Sequence, residues 1–68
     1  MSSLIRRKLS IGDWVTYKTQ HKEEYGRVKE LRENGAMVVY NCDNRWAEFE
    51  NYTAALTPYK DLRKGWPI

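Results

Sequence analysis

The chain has few of the residues that cross-link or clamp a small protein. Of its 68 residues, one is cysteine, Cys42, and one is histidine, His21. A single cysteine excludes a disulfide within the chain, and structural zinc sites generally use four ligands, mostly cysteine and histidine. The sequence therefore predicts a protein with no metal and no cofactor, whose fold depends on side-chain packing.

Long apolar runs are also absent from the sequence. No stretch approaches the roughly 20 apolar residues that span a bilayer. The basic start of the chain is not followed by an apolar stretch, as it would be in a secretory signal. We expect a cytoplasmic protein with no membrane partner, which agrees with a lone thiol. Residues 1–10 are predicted to be a mobile basic segment, and residues 11–68 a single domain.

The excess of positive charge is small. Twelve basic and nine acidic side chains give a formal net charge of +3. Between Lys22 and Glu33 the two signs are interleaved, whereas a nucleic-acid-binding domain usually clusters its cations on one face. A mixed, solvated surface is therefore the simplest interpretation of these charges.

Aromatic residues are plentiful. The chain has three Trp, five Tyr and one Phe, and each ring can bury about 150–250 Å². A chain of this length buries only about 60% of the surface that its unfolded form exposes, so aromatic packing has to supply much of the stability. The predicted core consists of Trp14, Val15, Val28, Leu31, Val38, Val39, Leu56, Leu62 and Trp66.

The dipeptide Asn34-Gly35 lies between two strand-like runs. It favours a two-residue type I′ turn, because both central positions need positive φ. The expected register pairs Glu33 with Ala36, Leu31 with Val38, and Lys29 with Tyr40. Apolar residues on both faces predict a bent or bulged pair of strands, with a bend near Gly26.

The segments after Cys42 are shorter. One or two helical turns are predicted over residues 44–50, with Asp43 or Asn44 as the cap. A short strand in "YTAALT" follows. Thr57 is then predicted to cap a single turn that has Pro58 at its first position, and "RKGW" is predicted to form the last strand.

This order of elements predicts an all-β fold. The stretches "GDWV", "YGRVKEL" and "MVVYNCDN" resemble the first three strands of Tudor and KOW-type barrels, and "TPYKDLRKGW" is similar to their 3-10 turn and last strand. The resemblance covers residues 11–66. It implies a small five-stranded SH3-like barrel with one or two short helical turns, although a fold by itself does not specify a function.

The resemblance also implies a type of binding site. Tudor-type domains bind methylated Lys or Arg in a cage of aromatic rings with an acidic or amide group, through cation–π attraction. The corresponding positions would lie near Tyr17 or Tyr25, at Tyr40, and around residues 43–46. The chain departs from that pattern because its segment after the third strand is longer, and because Arg45 in that segment would repel a cation.

The leading hypothesis from the sequence is a non-catalytic binding module that contacts a protein or peptide. Exposed aromatic area often marks a contact site, and the run after the third strand holds too many rings to bury them all. The predicted contact residues are Tyr40, Asp43, Trp46, Phe49 and Tyr52. Replacing Trp46 with Ala is predicted to weaken partner binding and leave the fold intact, and the protein is expected to be a monomer or a weak homodimer.

Two alternatives belong to other classes. KOW-type barrels often contact nucleic acid through basic residues and exposed rings, and here the candidates are Arg6, Arg7, Lys8, Arg27 and Lys29. Steep weakening with salt would identify this class. Catalysis by Cys42 with His21 as base is the weakest alternative, because the two residues are far apart in sequence and no phosphate loop or nucleophile elbow is present. The sequence therefore predicts no enzyme.

Overall fold

Five antiparallel strands form one sheet in the computed structural model, which describes residues 9–66. The strands are β1 (Trp14–Lys18), β2 (Glu23–Leu31), β3 (Ala36–Val39), β4 (Ala55–Thr57) and β5 (Leu62–Lys64). Two 3-10 helices, η1 (Trp46–Asn51) and η2 (Tyr59–Asp61), precede β4 and β5 respectively. The prediction of an all-β fold with short helical turns is confirmed.

The sheet has two edges and does not close on itself within the described residues. Its strand order is β4-β3-β2-β1-β5, so β4 and β5 are the edge strands and, within residues 9–66, they are not paired with each other. A closed barrel requires hydrogen bonds between its first and last strands, and each of these edge strands is only three residues long. The predicted closure into a barrel is therefore wrong for the described residues.

The hairpin between β2 and β3 differs from the Asn-Gly prediction. Leu31 pairs with Ala36 rather than with Val38, so the loop has four residues and is closed by a bond from the Arg32 amide to the Gly35 carbonyl at 2.9 Å. Neither central residue of the predicted turn has positive φ. A Cβ at Gly35 would collide with the backbone of β4. Glycine is required here for that close approach rather than for a type I′ turn.

The predicted bulge is confirmed. The register shifts between Val28 and Glu30, and the extra residue lets Val28 and Leu31 pack on the same core although they are three positions apart. The β2–β3 contact is also tight at Gly26, where an added Cβ would lie 2.6 Å from both Val38 Cγ1 and the Val39 carbonyl oxygen.

Two clusters of buried side chains lie against the sheet. The larger cluster consists of Leu9, Val15, Val28, Ala36, Val38, Tyr59 and Leu62, with Tyr17, Leu31 and Tyr40 packed against it. The smaller cluster consists of Val39, Cys42 and Phe49, with Trp46, Tyr52 and Ala54 packed against it.

Two residues of the predicted core lie at the surface. Trp14 is 40% exposed and Leu56 is 47% exposed. Successive side chains of a strand point to opposite faces, so Trp14 lies on the outer face of β1 because Val15 points into the core. Leu56 pairs with Met37, between the inward-facing Ala36 and Val38, and therefore also faces outward.

Both predicted helix caps are wrong. The cap of η1 is Arg45, without a side-chain hydrogen bond, and the Asp43 and Asn44 backbones form a turn ahead of it. The cap of η2 is Pro58 in an extended conformation. Thr57 belongs to β4, and its hydroxyl bonds to a tyrosine hydroxyl instead of capping the helix.

In the described region, neither helix has the length or the apolar character to cross a membrane.

Candidate functional site

An open groove lies beside the first half of β2. The pairing of β2 with β3 ends at Arg27 and Val39, so Glu23 to Gly26 extend past β3 and the chain that leaves β3 runs alongside them. The groove has a volume of about 490 Å³. We call it the aromatic groove, and its lining residues are Glu24, Tyr25, Tyr40, Asn41, Asn44, Trp46 and Trp66.

A tight turn after β3 shapes one wall of the aromatic groove. Asp43 and Asn44 have φ values of +54° and +65°, a conformation that Asp and Asn adopt more readily than most residues. The Asp43 amide donates to Asn41 Oδ1 at 3.2 Å, and the Arg45 amide donates to the Cys42 carbonyl at 2.8 Å. The turn places the Asn41 and Asn44 amides along the groove and leaves the Arg45 side chain outside its lining.

Two of the lining residues, Trp46 and Trp66, belong to a cluster of three tryptophans. The ring centroids of Trp14, Trp46 and Trp66 lie 4.7–5.7 Å apart in edge-to-face contacts, the geometry that aromatic pairs favour. Trp66 Nε1 donates to the Gly26 carbonyl at 3.1 Å. This bond fixes Trp66 against β2, where Tyr25 also contacts it with 5.9 Å between centroids.

Arg27 attaches η1 to the sheet. Its Nε donates to the Gly12 carbonyl at 2.8 Å, and its Nη1 donates to the Trp46 carbonyl at 2.7 Å. The guanidinium carbon also lies 4.3 Å from the Trp14 ring centroid and 4.5 Å from that of Phe49. These bonds hold the backbone at Trp46 in place, so Arg27 helps to position Trp46 in the groove lining.

The two strand cations predicted to contact nucleic acid both have hydrogen-bond partners within the fold. Arg27 is bonded to backbone carbonyls, and Lys29 Nζ donates to the Tyr52 carbonyl at 2.8 Å. Both cations tie the segment after β3 to β2. The other predicted nucleic-acid contacts, Arg6, Arg7 and Lys8, lie outside the described residues.

Tyr40 is half-buried at the wall of the groove. Its hydroxyl and the Thr57 hydroxyl share a hydrogen bond at 2.6 Å, and its ring lies 6.0 Å from that of Tyr17. Burial is the main cause that raises the pKa of Tyr40 to about 12. The hydrogen bond to Glu23 is the main cause that raises the pKa of Tyr25. Both phenols are therefore neutral at physiological pH.

Glu24 supplies the negative charge of the groove. Its carboxylate oxygen Oε2 lies 3.6 Å from Lys22 Nζ, and both side chains are well exposed. An exposed ion pair of this kind is worth about 0–1 kcal/mol, so Lys22 is a weak competitor for the carboxylate. Among residues 9–66, the groove lining includes neither Lys nor Arg.

The five predicted contact residues do not form one surface. Tyr40 and Trp46 line the aromatic groove, and Asp43 is exposed in the adjoining turn. Phe49 is only 5% exposed and belongs to the smaller core cluster, so its prediction as a surface contact is wrong. Tyr52 packs against that same cluster. The packing reason is that η1 lies on the sheet with Phe49 directed inward.

Other lining residues were not among the predicted contacts. Glu24, Asn41 and Trp66 were missed, and Tyr25 and Asn44 entered only through the resemblance to Tudor domains. The available signal was the element order, because a last strand beside β1 brings Trp66 close to β2. The contact of Trp66 with Gly26 forms only in the folded sheet, so no local sequence pattern predicts it.

The residues considered for catalysis or metal binding lie apart from the groove lining. Cys42 is 1% exposed and packs in the smaller cluster with Val39 and Phe49. His21 is exposed in the loop between β1 and β2. Across residues 9–66, no three His, Cys, Asp or Glu side chains are grouped so that they could hold a metal ion.

Comparison of the chain with protein-family models, curated proteins and solved structures gives no match. A candidate function has to be argued from the chemistry of the aromatic groove. Within residues 9–66, its distinguishing features are four rings, one carboxylate and two amides on an open surface.

Proposed function

We propose that the protein is a non-catalytic binding module whose aromatic groove takes a cationic side chain of a protein or peptide. The observation that carries this proposal is the lining: the rings of Tyr25, Tyr40, Trp46 and Trp66 surround a groove that also contains the Glu24 carboxylate. A cation over an aromatic face gains about 0.5–1 kcal/mol at an exposed site and about 2 kcal/mol when desolvated.

The lining favours a Lys or Arg side chain, with or without methyl groups, over other ligands. The Asn41 and Asn44 amides can accept hydrogen bonds from an ammonium or guanidinium group. An apolar ligand would gain no electrostatic attraction from the Glu24 carboxylate, and an anionic ligand would be repelled by it. The groove is open, so it suits a side chain presented on a partner's surface.

We further propose that the fold is of the SH3-like, Tudor or KOW type. The strand order supports this, since β1 lies between β2 and β5, and η2 immediately precedes the last strand. The open edges at β4 and β5 are a departure from the closed form of that type.

The location of binding is tested by nuclear magnetic resonance with an isotopically labelled protein. The probes are N-acetyl-trimethyllysine amide and N-acetyl-arginine amide. We expect one or both to shift the indole Nε1–H signals of Trp46 and Trp66, while the amides of β4 stay unchanged. Shifts confined to residues outside the groove lining, or no shifts with either probe, would contradict the proposal.

Glu24→Gln is the variant that separates binding from folding. It keeps the shape of the side chain, removes its charge, and alters a partly exposed position. Glu30→Gln is the matched control, because it removes an exposed carboxylate from the same strand outside the groove. Trp46→Ala is less informative than the sequence predicted, because Trp46 also packs on the smaller core cluster and on Trp14.

A further inference from the structure

A second pocket lies on the outer face of β5, β1 and β2, next to the aromatic groove. Its volume is about 340 Å³. We call it the basic pocket, and its lining residues are Thr16, Lys18, Glu23, Arg63, Lys64, Gly65 and Trp66. Three cations and one carboxylate give this pocket the opposite charge from the groove.

Two of the cations are available to an external anion. Lys64 pairs with Asp13 at 3.7 Å. Lys18 lies opposite Glu23 in the ladder and Arg63 lies opposite Thr16, but within residues 9–66 neither forms an ion pair of 4.0 Å or less. Glu23 also accepts a hydrogen bond from the Tyr25 hydroxyl at 3.1 Å. Lys18 and Arg63 therefore define the anion-binding character of the basic pocket.

One ring separates the two sites. Trp66 lines both the aromatic groove and the basic pocket, and its centroid is 5.3 Å from that of Trp46 and 5.9 Å from that of Tyr25. An extended peptide advances at most about 3.3–3.6 Å per residue. Two side chains separated by one or two residues can therefore reach one site each, on either side of Trp66.

We infer that the module recognises a peptide in which a Lys or Arg is separated by one or two residues from an Asp or Glu. This inference rests on the proposed function, because the cation must occupy the aromatic groove. The acidic residue then occupies the basic pocket beside Lys18 and Arg63. A nucleic acid fits the pair of sites less well, because its successive phosphates would approach the Glu24 carboxylate.

The test is a double-mutant cycle in which both the peptide and the protein are changed. The binding affinity of each peptide for each protein is measured by isothermal titration calorimetry. The parent peptide is acetylated Gly-trimethyllysine-Gly-Glu-Gly amide. It is compared with peptides in which a different number of residues separates trimethyllysine from Glu, or in which these two residues stand in the reverse order. In one derivative Gln replaces Glu, and in another norleucine replaces trimethyllysine. The protein variants are Lys18→Gln/Arg63→Gln and the control Arg32→Gln/Lys60→Gln, which removes the same charge from exposed positions outside both sites.

We expect the Glu-to-Gln peptide to bind about two- to fivefold more weakly to the wild type and to the control, as one exposed ion pair permits. The same change should have almost no effect with Lys18→Gln/Arg63→Gln. The norleucine peptide should bind more weakly to all three proteins. These results together would support simultaneous occupation of both sites.

The two proposals fail in different ways. If the peptide's Glu has no effect at any spacing while norleucine still weakens binding, this inference is overturned and the proposed function stands. If norleucine has no effect, the proposed function itself fails. Decathymidylate is the competing probe: binding that is lost in Lys18→Gln/Arg63→Gln and weakens steeply with salt would assign the basic pocket to nucleic acid and overturn the peptide assignment.

Discussion

At the scale of single residues, substitution of Arg27 is predicted to have the largest effect on the stability of the fold. Arg27 combines two hydrogen bonds to backbone carbonyls with contacts to the Trp14 and Phe49 rings. Its charge has no partner carboxylate in these contacts, so carbonyl dipoles and ring faces stabilise it. The position shows why a strand cation in a small aromatic protein need not be a ligand contact.

Arg27→Met should lower the free energy of unfolding by about 2–4 kcal/mol, since charge-assisted hydrogen bonds and cation–π contacts are both lost. Arg27→Lys should have an intermediate effect, because an ammonium group cannot reproduce the planar fork. Urea unfolding followed by circular dichroism measures both. Arg63→Met is the exposed control and should stay within about 0.5 kcal/mol of wild type; equal losses at the two arginines would refute the assignment.

Tyr40 gives a prediction about pH. Its pKa is raised from the ordinary value of 10.0 to about 12, so the folded state holds the phenolic proton more tightly than the unfolded state does. The resulting stability is fully present below about pH 10 and is lost as pH rises from about 10 to about 12. Alkaline unfolding of wild type should show this loss, and Tyr40→Phe should lack that component. A normal phenolate titration of Tyr40 would contradict it.

Lys22 gives a prediction about binding. Its ammonium group lies 3.6 Å from the Glu24 carboxylate and competes with a cationic ligand. Lys22→Gln should therefore raise the affinity for N-acetyl-trimethyllysine amide by about 1.5- to twofold at low salt, within the worth of an exposed ion pair, and the gain should shrink as salt increases. Lys60→Gln is the control for net charge. A matching gain in that control would attribute the effect to overall charge.

At the scale of elements, the contact between β2 and β3 depends on Gly26. The distances of 2.6 Å to Val38 Cγ1 and to the Val39 carbonyl oxygen leave no room for a methyl group. The valine side chain can move, but the carbonyl belongs to the strand backbone and cannot move without disturbing the ladder.

Gly26→Ala should therefore destabilise the protein by about 1–3 kcal/mol, the range for overpacked interiors. Hydrogen exchange should quicken at the β2–β3 ladder, and thermal unfolding should show the lower stability. Glu30→Ala, at an exposed position of the same strand, is the control. If the two variants unfold alike, the strands are not in such close contact.

The elements also show what the sequence could and could not predict. The positions of the strands could be predicted from local composition. Residues 14–18 are an example, because they are rich in the β-branched and aromatic residues that strands prefer. The register of the hairpin could not be predicted, because the approach of β4 to Gly35 and the bulge after Val28 are both tertiary effects that override the Asn-Gly preference. Phe49 was misplaced for a similar reason: its spacing from Trp46 indicates a shared face but not how deeply that face is buried.

At the scale of the whole molecule, the groove is a product of the strand order. It joins β2, the turn after β3 and Trp66 beyond β5, which are far apart in sequence. The resemblance to Tudor and KOW-type barrels indicated Tyr17 or Tyr25, Tyr40 and residues 43–46 as one region. It could not supply Glu24 or Trp66, whose position depends on the bond to Gly26.

The central claim is that the groove selects positive charge, and the most direct measurement is a ratio of dissociation constants. N-acetyl-trimethyllysine amide is compared with its neutral isostere, in which carbon replaces the quaternary nitrogen. For wild type and Glu30→Gln we predict that the cation binds at least about fivefold more tightly, the equivalent of one cation–π contact of about 1 kcal/mol, and that Glu24→Gln reduces this ratio. A ratio near one in the wild type would contradict the account.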